Sequence, residues 1–242
     1  MPDAWQEPDS QTFIDYGRIF VPGRDEIGRT ILTLMPAKPE DTFVCVDAGT
    51  GDGWLSRLIL ERFGNSHMIA LDRSPAMLDH ARRQLEPFGD RVEFATFRLE
   101  EDAWVRSLPG AVRCVVSSLA IHHIDDARKW TLFRNLFRKI EPGGALLIAD
   151  LIAVGSERER LYAADLWDAE VKRRSQELTG SLLAFDRFVM EQWNWYRYND
   201  PGDKPARLGD QLKWLEETGF EGVSAYWLHA GHAVFGGFKR PQ

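Results

Sequence analysis

Short apolar runs alternate along the chain with longer stretches in which apolar residues recur every three or four positions. That rhythm predicts strands and helices in turn. The runs Thr42 to Asp47, His67 to Asp72, Val92 to Thr96, Val112 to Ser118 and Gly144 to Leu151 are rich in Val, Ile, Leu, Phe and Ala, and read as strands. Between them the spacing predicts helices over Gly53 to Phe63, Pro75 to Leu85 and Asp126 to Ile140. Ser74-Pro75 is a helix start, with serine as N-cap and proline at the first helical position. Glu141-Pro142-Gly143-Gly144 stops the third helix and turns the chain. Alternation of this kind places parallel strands in one sheet.

After Leu151 the rhythm breaks. Ser156 to Asn199 reads as two helical segments, the second crowded with Phe185, Phe188, Trp193, Trp195, Tyr196 and Tyr198. A loop with Pro201-Gly202 and Pro205 follows, then a helix over Leu208 to Thr218 and two strands, Gly222 to Leu228 and Ala233 to Lys239. Only His229 to His232 separate those strands, too few residues for a parallel crossover, so they form an antiparallel hairpin. The expected architecture is α/β: seven strands, mostly parallel with an antiparallel final strand, and helices on both faces. Its expected parts are an N-terminal helical cap (1–40), a ligand-binding core (41–151), a helical aromatic insertion (152–207) and a closing helix with its strand pair (208–242).

Length and composition fit one ordinary globular domain with an appendage: 242 residues, 44% hydrophobic and 28% charged. No segment approaches the ~20 apolar residues of a membrane helix. Met1 to Ser10 carries Asp3, Glu7 and Asp9 and no basic cluster before an apolar run, so no secretory or transit signal is expected and the cytoplasm is the default compartment. Cys45 and Cys114 fall inside apolar strands, where buried thiols are expected and a disulfide is not. A formal net charge of -7 opposes tight binding to a phosphate backbone, which disfavours a nucleic-acid partner. Arg82-Arg83 and Lys172-Arg173-Arg174 read as solvated helix surface.

The densest chemical signal is Val44-Cys45-Val46-Asp47-Ala48-Gly49-Thr50-Gly51-Asp52-Gly53, a buried strand feeding a glycine-rich turn and then a helix. Glycines let the backbone turn tightly and approach a ligand, and the helix N-terminus offers unpaired N–H groups. The next strand ends in Asp72, placed to accept hydrogen bonds from the two hydroxyls of a ribose. A dinucleotide site would need G-x-G-x-x-G, but here the third glycine comes one residue early. Asp47 and Asp52 also make the turn acidic, unfavourable for a pyrophosphate and suited to a ligand bearing an ammonium and a sulfonium.

On these residues the chain resembles the class I S-adenosylmethionine (SAM)-dependent methyltransferases, Rossmann-like enzymes whose first motif is a strand, an acidic residue and a G-x-G-x-G turn. Asp47, Gly49, Gly51 and Gly53 match that motif, and Asp72 matches the acidic residue ending the second strand. Cys114 to Ile124 resembles the family's fourth strand and following loop, Glu141 to Gly144 the turn into the fifth, and the hairpin its antiparallel seventh strand. The resemblance implies SAM as cofactor, with Asp72 on the ribose, Arg73 and Met77 flanking the adenine, and Ser117 near the methionine moiety. Where many members have Gly-Asp and an apolar residue after the third strand, this chain has Phe97-Arg98-Leu99-Glu100. Either Leu99 serves through its backbone with Glu100 nearby, or the adenine end differs. Arg73-Ser74-Pro75-Ala76-Met77 and Glu217-Thr218-Gly219-Phe220 are similar, in part, to the bacterial enzymes that make carboxy-SAM for wobble-uridine modification.

Transfer from a sulfonium is an in-line displacement that needs alignment and exclusion of water. A base matters only for an acceptor whose proton is held well above neutrality, and then His122 and His123, following the fourth strand on the ligand-binding edge, are the candidates. No metal site is expected: there is no C-x-x-C, no H-x-x-x-H on a helical face and no clustered carboxylate partner of the kind zinc or iron sites require. Phe185, Trp193, Trp195, Tyr196 and Tyr198, with the N-terminal Phe13, Tyr16 and Phe20, are expected to close over the site as a lid, and aromatic faces attract cations. Tyr16 is counted with the cofactor site. Arg24 is a candidate partner for the methionine carboxylate of SAM. The expected partner is a small-molecule acceptor, with a homodimer left open. Carboxy-SAM synthesis, tRNA modification and a non-catalytic SAM-binding interaction protein are the alternatives.

Overall fold

The computed structural model describes residues 7–241. Asp3 and the rest of the first six residues of the expected cap lie outside them. Helices α1 (Glu7–Phe20) and α2 (Arg24–Leu34) precede β1 (Phe43–Ala48), α3 (Trp54–Arg62), β2 (Ser66–Asp72), α4 (Pro75–Leu85) and β3 (Val92–Thr96). Then come α5 (Ala103–Ser107), β4 (Val112–Ser118), α6 (Asp126–Lys139) and β5 (Ile140–Leu151). Helices α7 (Glu157–Thr179), α8 (Leu183–Met190) and α9 (Leu208–Thr218) lead to β6 (Glu221–His229) and β7 (His232–Phe238).

The seven strands form one sheet in the order β3-β2-β1-β4-β5-β7-β6, and β7 alone runs antiparallel to both neighbours. This is the mostly parallel sheet the pattern implied and the Rossmann-like arrangement the family resemblance implied. Strand alternation divides the core into two layers. Val46, Val115, Leu146 and Ile148 pack with Leu132, Phe133 and Leu136 of α6 on one face. Their neighbours Cys45, Cys114, Val116 and Leu147 pack with Ile27 and Ile31 of α2 and Ile59 of α3 on the other. Both cysteines are buried free thiols. Among the described residues no helix is long and apolar enough to cross a membrane.

Two features differ from the pattern. Strand β5 begins at Ile140, before Pro142-Gly143, because Ile140 pairs with Val112 and Gly143 N–H reaches the Lys239 carbonyl, with the register shifting between Val112 and Cys114. The turn thus serves as a bulge within the strand rather than as a break before it. The second helix of the insertion ends at Met190, so Trp193, Trp195, Tyr196 and Tyr198 lie in the turns beyond it. Gln192 at φ 59 breaks the helix there. Asn194 holds the turn: its side-chain amide donates to the Ala164 carbonyl and to Asp168, while its oxygen accepts from Tyr196 N–H.

A third cluster joins the chain's beginning to this insertion. Phe20 and Ile19 of α1 pack with Trp167, Val171 and Phe188 and with the fully buried Tyr196. The Trp167 indole donates to the Phe20 carbonyl at 2.7 Å, and the Tyr196 hydroxyl lies 2.5 Å from the Ile152 carbonyl and 2.8 Å from that of Gly231. Residues far apart in sequence are therefore fastened across the carboxyl edge of the sheet.

Candidate functional site

Strand β1 delivers the chain to a loop anchored from below and from the side. The buried Asp47 carboxylate accepts from the Thr50 and Ser56 hydroxyls at 3.0 and 2.7 Å, while its second oxygen has no hydrogen-bond partner. Burial, partly offset by those two hydroxyls, pushes the Asp47 carboxyl up to about 6. Gly49 and Thr50 N–H donate to the Leu71 carbonyl, and Gly51 N–H donates to Asp72 Oδ2 at 2.8 Å. Gly49 sits at φ 85, where a side chain would also collide with Ala120 of the loop after β4. Gly51, at φ 54, presents its bare backbone to open space, with Phe13 the nearest neighbour at 3.9 Å from where a Cβ would stand.

Asp72 closes β2. Its Oδ1 accepts from Ser74 N–H at 2.9 Å, and Ser74 in turn caps α4 by accepting from Met77 N–H at 3.1 Å. Burial outweighs these N–H bonds and raises the Asp72 carboxyl above the usual carboxylate range. Ser10 of α1 lies 3.0 Å from the Ser74 hydroxyl, tying the N-terminal helix to this corner.

The loop after β4 carries the other half of the site. Leu119 takes a left-handed φ of 53, uncommon for a branched residue and characteristic of strained functional loops. A short 3₁₀ turn over Ile121–His123 follows. Asp150, near the end of β5, grips this turn twice, accepting from His122 N–H at 2.9 Å and meeting His122 Nδ1 at 2.5 Å. Burial lowers the His122 pKa, but the Asp150 charge and hydrogen bond outweigh it and the net shift is upward. His123 moves down, through burial and the neighbouring His122. Asp203, from the loop before α9, stands 3.0 Å from His123 Nδ1 and 3.6 Å from His122 Nε2.

A cavity of about 150 Å³, some ten times what one water needs, runs along this edge and joins the two halves. Its lining includes Gly49, Gly51, Asp72, Arg73, Met77, Leu99, Glu100, His122 and His123, all singled out from sequence. Phe13, Phe20 and Trp193 of the expected lid also line it. Trp195, Tyr196, Tyr198 and Phe185 do not, because they build the insertion's own core or its surface.

Five candidates stand off the cavity wall. Asp47 supports the loop from beneath. Gly53 packs on Ala81, where a Cβ would meet atoms at 3.2 Å. The Ser117 hydroxyl is turned to the Ala48 carbonyl at 2.7 Å, and its neighbour Ser118 reaches the cavity instead. Tyr16 stacks on Phe20 with centroids 5.4 Å apart and lies under the Arg187 guanidinium. Arg24, buried to 7% side-chain exposure, binds both Asp52 oxygens at 2.8 and 2.6 Å and lies over the Trp54 ring. An acidic turn needs that counter-charge once buried, so the guanidinium is engaged within the protein.

Sequence reasoning missed Trp167, His232, Asp150 and Asp203. Trp167 sits in a helix whose spacing says only that it faces inward. His232 meets the Trp167 ring edge-on at 4.5 Å, and burial brings its pKa down to about 4, so it is neutral. Asp150 could have been found as the one polar residue in the apolar run from Ala145 to Leu151. Asp203 sits in a Pro/Gly loop and gives no such signal.

The cleft fits SAM on its own features: an open glycine backbone, a buried carboxylate at the end of the neighbouring strand, and apolar lining from Met77, Phe97 and Leu99. Comparison with known proteins agrees. Residues 45–144 match the family described as methyltransferase domain. Ribosomal RNA small subunit methyltransferase H of Beutenbergia cavernae is 30% identical over 138 residues, 54% of this chain and 41% of that protein. Malonyl-[acyl-carrier protein] O-methyltransferase of Hahella chejuensis is 28% identical over 131 residues, 52% of this chain and 42% of that protein. The matches thus span about two fifths of these relatives. Among solved structures, an O-methyltransferase family protein from Burkholderia thailandensis superposes with a TM-score of 0.67 at 15% identity, covering 96% of this chain and 59% of the other. Human N-acetylserotonin methyltransferase in complex with SAM gives 0.55 at 14%, covering 88% and 51%. Residues 45–144 thus match a methyltransferase domain by sequence, the sheet has the Rossmann-like topology of the solved methyltransferases it superposes on, and the cofactor this points to is S-adenosylmethionine.

Proposed function

We propose that this chain transfers the methyl group of SAM to a small acceptor with an apolar or aromatic body. One observation carries the reading: a single cavity is lined by the glycine loop and Asp72 together with a histidine pair and aromatic rings. Bound SAM supplies an electrophilic methyl on a sulfonium, and the residues of this chain do the rest. Asp72 and the Gly51 backbone hold the ribose and orient the cofactor. Met77, Phe97 and Leu99 receive the adenine. Phe13 covers the glycine loop, and Phe20, Trp167 and Trp193 enclose the acceptor, exclude water and hold its nucleophilic atom in line with the transferring methyl.

His122 and His123 line the cavity and handle the acceptor's proton, with Asp150 fixing the His122 ring through Nδ1. The mostly apolar lining of the cavity and the net charge of -7 support a small acceptor over a nucleic acid. The test is turnover. Protein incubated with methyl-labelled SAM and panels of phenols, thiols, amines and small acids yields a labelled small product and the demethylated cofactor. SAM binding with no labelled product from any panel or cell extract would reject the enzymatic reading, and retention of a carboxylated SAM on purification would replace it.

A further inference from the structure

Folding gathers His122, His123 and Asp203 so that one donor atom from each lies within 4.8 Å of the others. Two of the separations are 3.6 Å, from His122 Nε2 to Asp203 Oδ1, and 3.0 Å, from His123 Nδ1 to the same oxygen. Three ligands at bonds of about 2.0–2.2 Å on a tetrahedral ion stand roughly 3.4 Å apart. We propose that these three side chains form a site for a divalent cation of the zinc or cobalt type, open toward the acceptor chamber.

The surroundings are those of a built ligand set. Asp150 Oδ1 meets His122 Nδ1 at 2.5 Å, which fixes the ring and aims Nε2 at Asp203; a carboxylate behind a ligating histidine is the common outer-shell arrangement. The loop that carries Asp203 is held against the histidine turn through its neighbour Lys204. The adjacent Lys204 N–H donates to the His122 carbonyl at 2.6 Å. Lys129, 1% exposed, bonds through Nζ to the Ile124 carbonyl at 2.5 Å and to the Lys204 carbonyl, clamping one loop on the other. Asp203 and the two imidazoles thus form a donor set of one carboxylate and two nitrogens, with the Asp150 carboxylate behind it. Nitrogen and carboxylate donors suit zinc-type ions, and three protein ligands leave a fourth position for a substrate atom.

His122 and His123 both line the cavity, so that position faces the bound acceptor. For this role the inference rests on the proposed acceptor chamber, although the donor set stands without it. The ion takes the acceptor's oxygen or sulfur as fourth ligand and lowers its pKa, so that the proton leaves to solvent before the methyl arrives. With the ion bound, the two histidines act on that proton through the ion, as its ligands, in place of handling it directly.

The whole chain, stripped with a chelator, is titrated with Zn²⁺ by calorimetry and with Co²⁺ by visible absorption, while SAM binding is measured on the same preparation. One saturable ion per chain is expected. Asp203→Asn and His123→Ala should each weaken it more than about tenfold, and Asp150→Asn by ~10- to 100-fold through the ring it orients. Glu61→Gln, in an exposed ion pair on α3, should change nothing. Protein that binds SAM but neither ion overturns the metal site and leaves the methyltransferase reading intact, as do variants that bind the ions as tightly as the wild type. Binding of an ion without SAM leaves the site standing and removes the reading of the cavity, and binding of neither removes both.

Discussion

Replacing Asp72 by alanine should weaken SAM binding by at least about tenfold. The carboxylate already receives Ser74 N–H at 2.9 Å on one oxygen and Gly51 N–H at 2.8 Å on the other, with a further backbone bond from Arg73, and the acceptor site that remains is left for a ribose hydroxyl. A hydrogen bond to a charged acceptor contributes ~1.5–3 kcal/mol, so the loss of one such bond corresponds to roughly 10- to 150-fold in affinity. The same change strips Gly51 and Ser74 of their acceptor and should cost the fold ~1–3 kcal/mol. The two effects separate in two assays: calorimetric titration with SAM and with its demethylated product, and urea denaturation of the ligand-free protein. Asp72→Asn serves as the milder variant, because its amide oxygen can keep one of the backbone donors. A folded Asp72→Ala protein whose dissociation constant lies within twofold of wild type would place the ribose elsewhere.

Other outcomes follow from the same geometry. Asp47, with a carboxyl pushed up to about 6 in the fold, binds its proton more tightly folded than unfolded; the stability this contributes is present at low pH and lost as pH rises from about 4 through 6. Asp47→Asn should therefore gain stability relative to wild type between pH 4.5 and 7, by up to ~3 kcal/mol in denaturant melts, and a constant difference would contradict the shift. Tyr196→Phe removes a hydroxyl bonded to Ile152 and Gly231 and should cost ~1–2 kcal/mol by the same melts, with no effect expected if the insertion is held by packing alone. Trp193→Ala should raise the acceptor KM while the SAM dissociation constant holds, and an equal loss in both would place the ring over the cofactor. His122→Ala should lower kcat by ~10²–10⁴ with SAM affinity retained, and unaltered turnover would remove the histidine from the chemistry.

The elements easiest to read in the sequence carried local punctuation. Helix α4 runs over the expected Pro75–Leu85 because Ser74 caps it and proline pre-sets its first turn, and β3, β4 and α9 likewise match residue for residue. The glycine loop was legible because backbone approach demands glycine in a recognisable order. Side-chain direction at the edge was harder. Ser117 and Ser118 differ by one place in a period of two, and only pairing in the sheet decides which of them meets the cavity. Arg24 was assigned to the ligand because sequence shows a charge and not its nearest partner, which proved to be Asp52. The aromatic segment after Met190 kept an apolar composition without helical hydrogen bonds, so composition overran the helix. Asp150, Asp203, Trp167 and His232 converge from four separate elements, and no spacing along the chain encodes that meeting.

The most direct measurement is a crystal structure of the protein with the demethylated cofactor bound. The ribose hydroxyls should lie within hydrogen-bond distance of Asp72, with the adenine between Met77 and Leu99 and the sulfur facing His122 across the aromatic chamber. A nucleoside bound elsewhere, with the Gly49–Gly51 backbone closed on itself, would contradict the account.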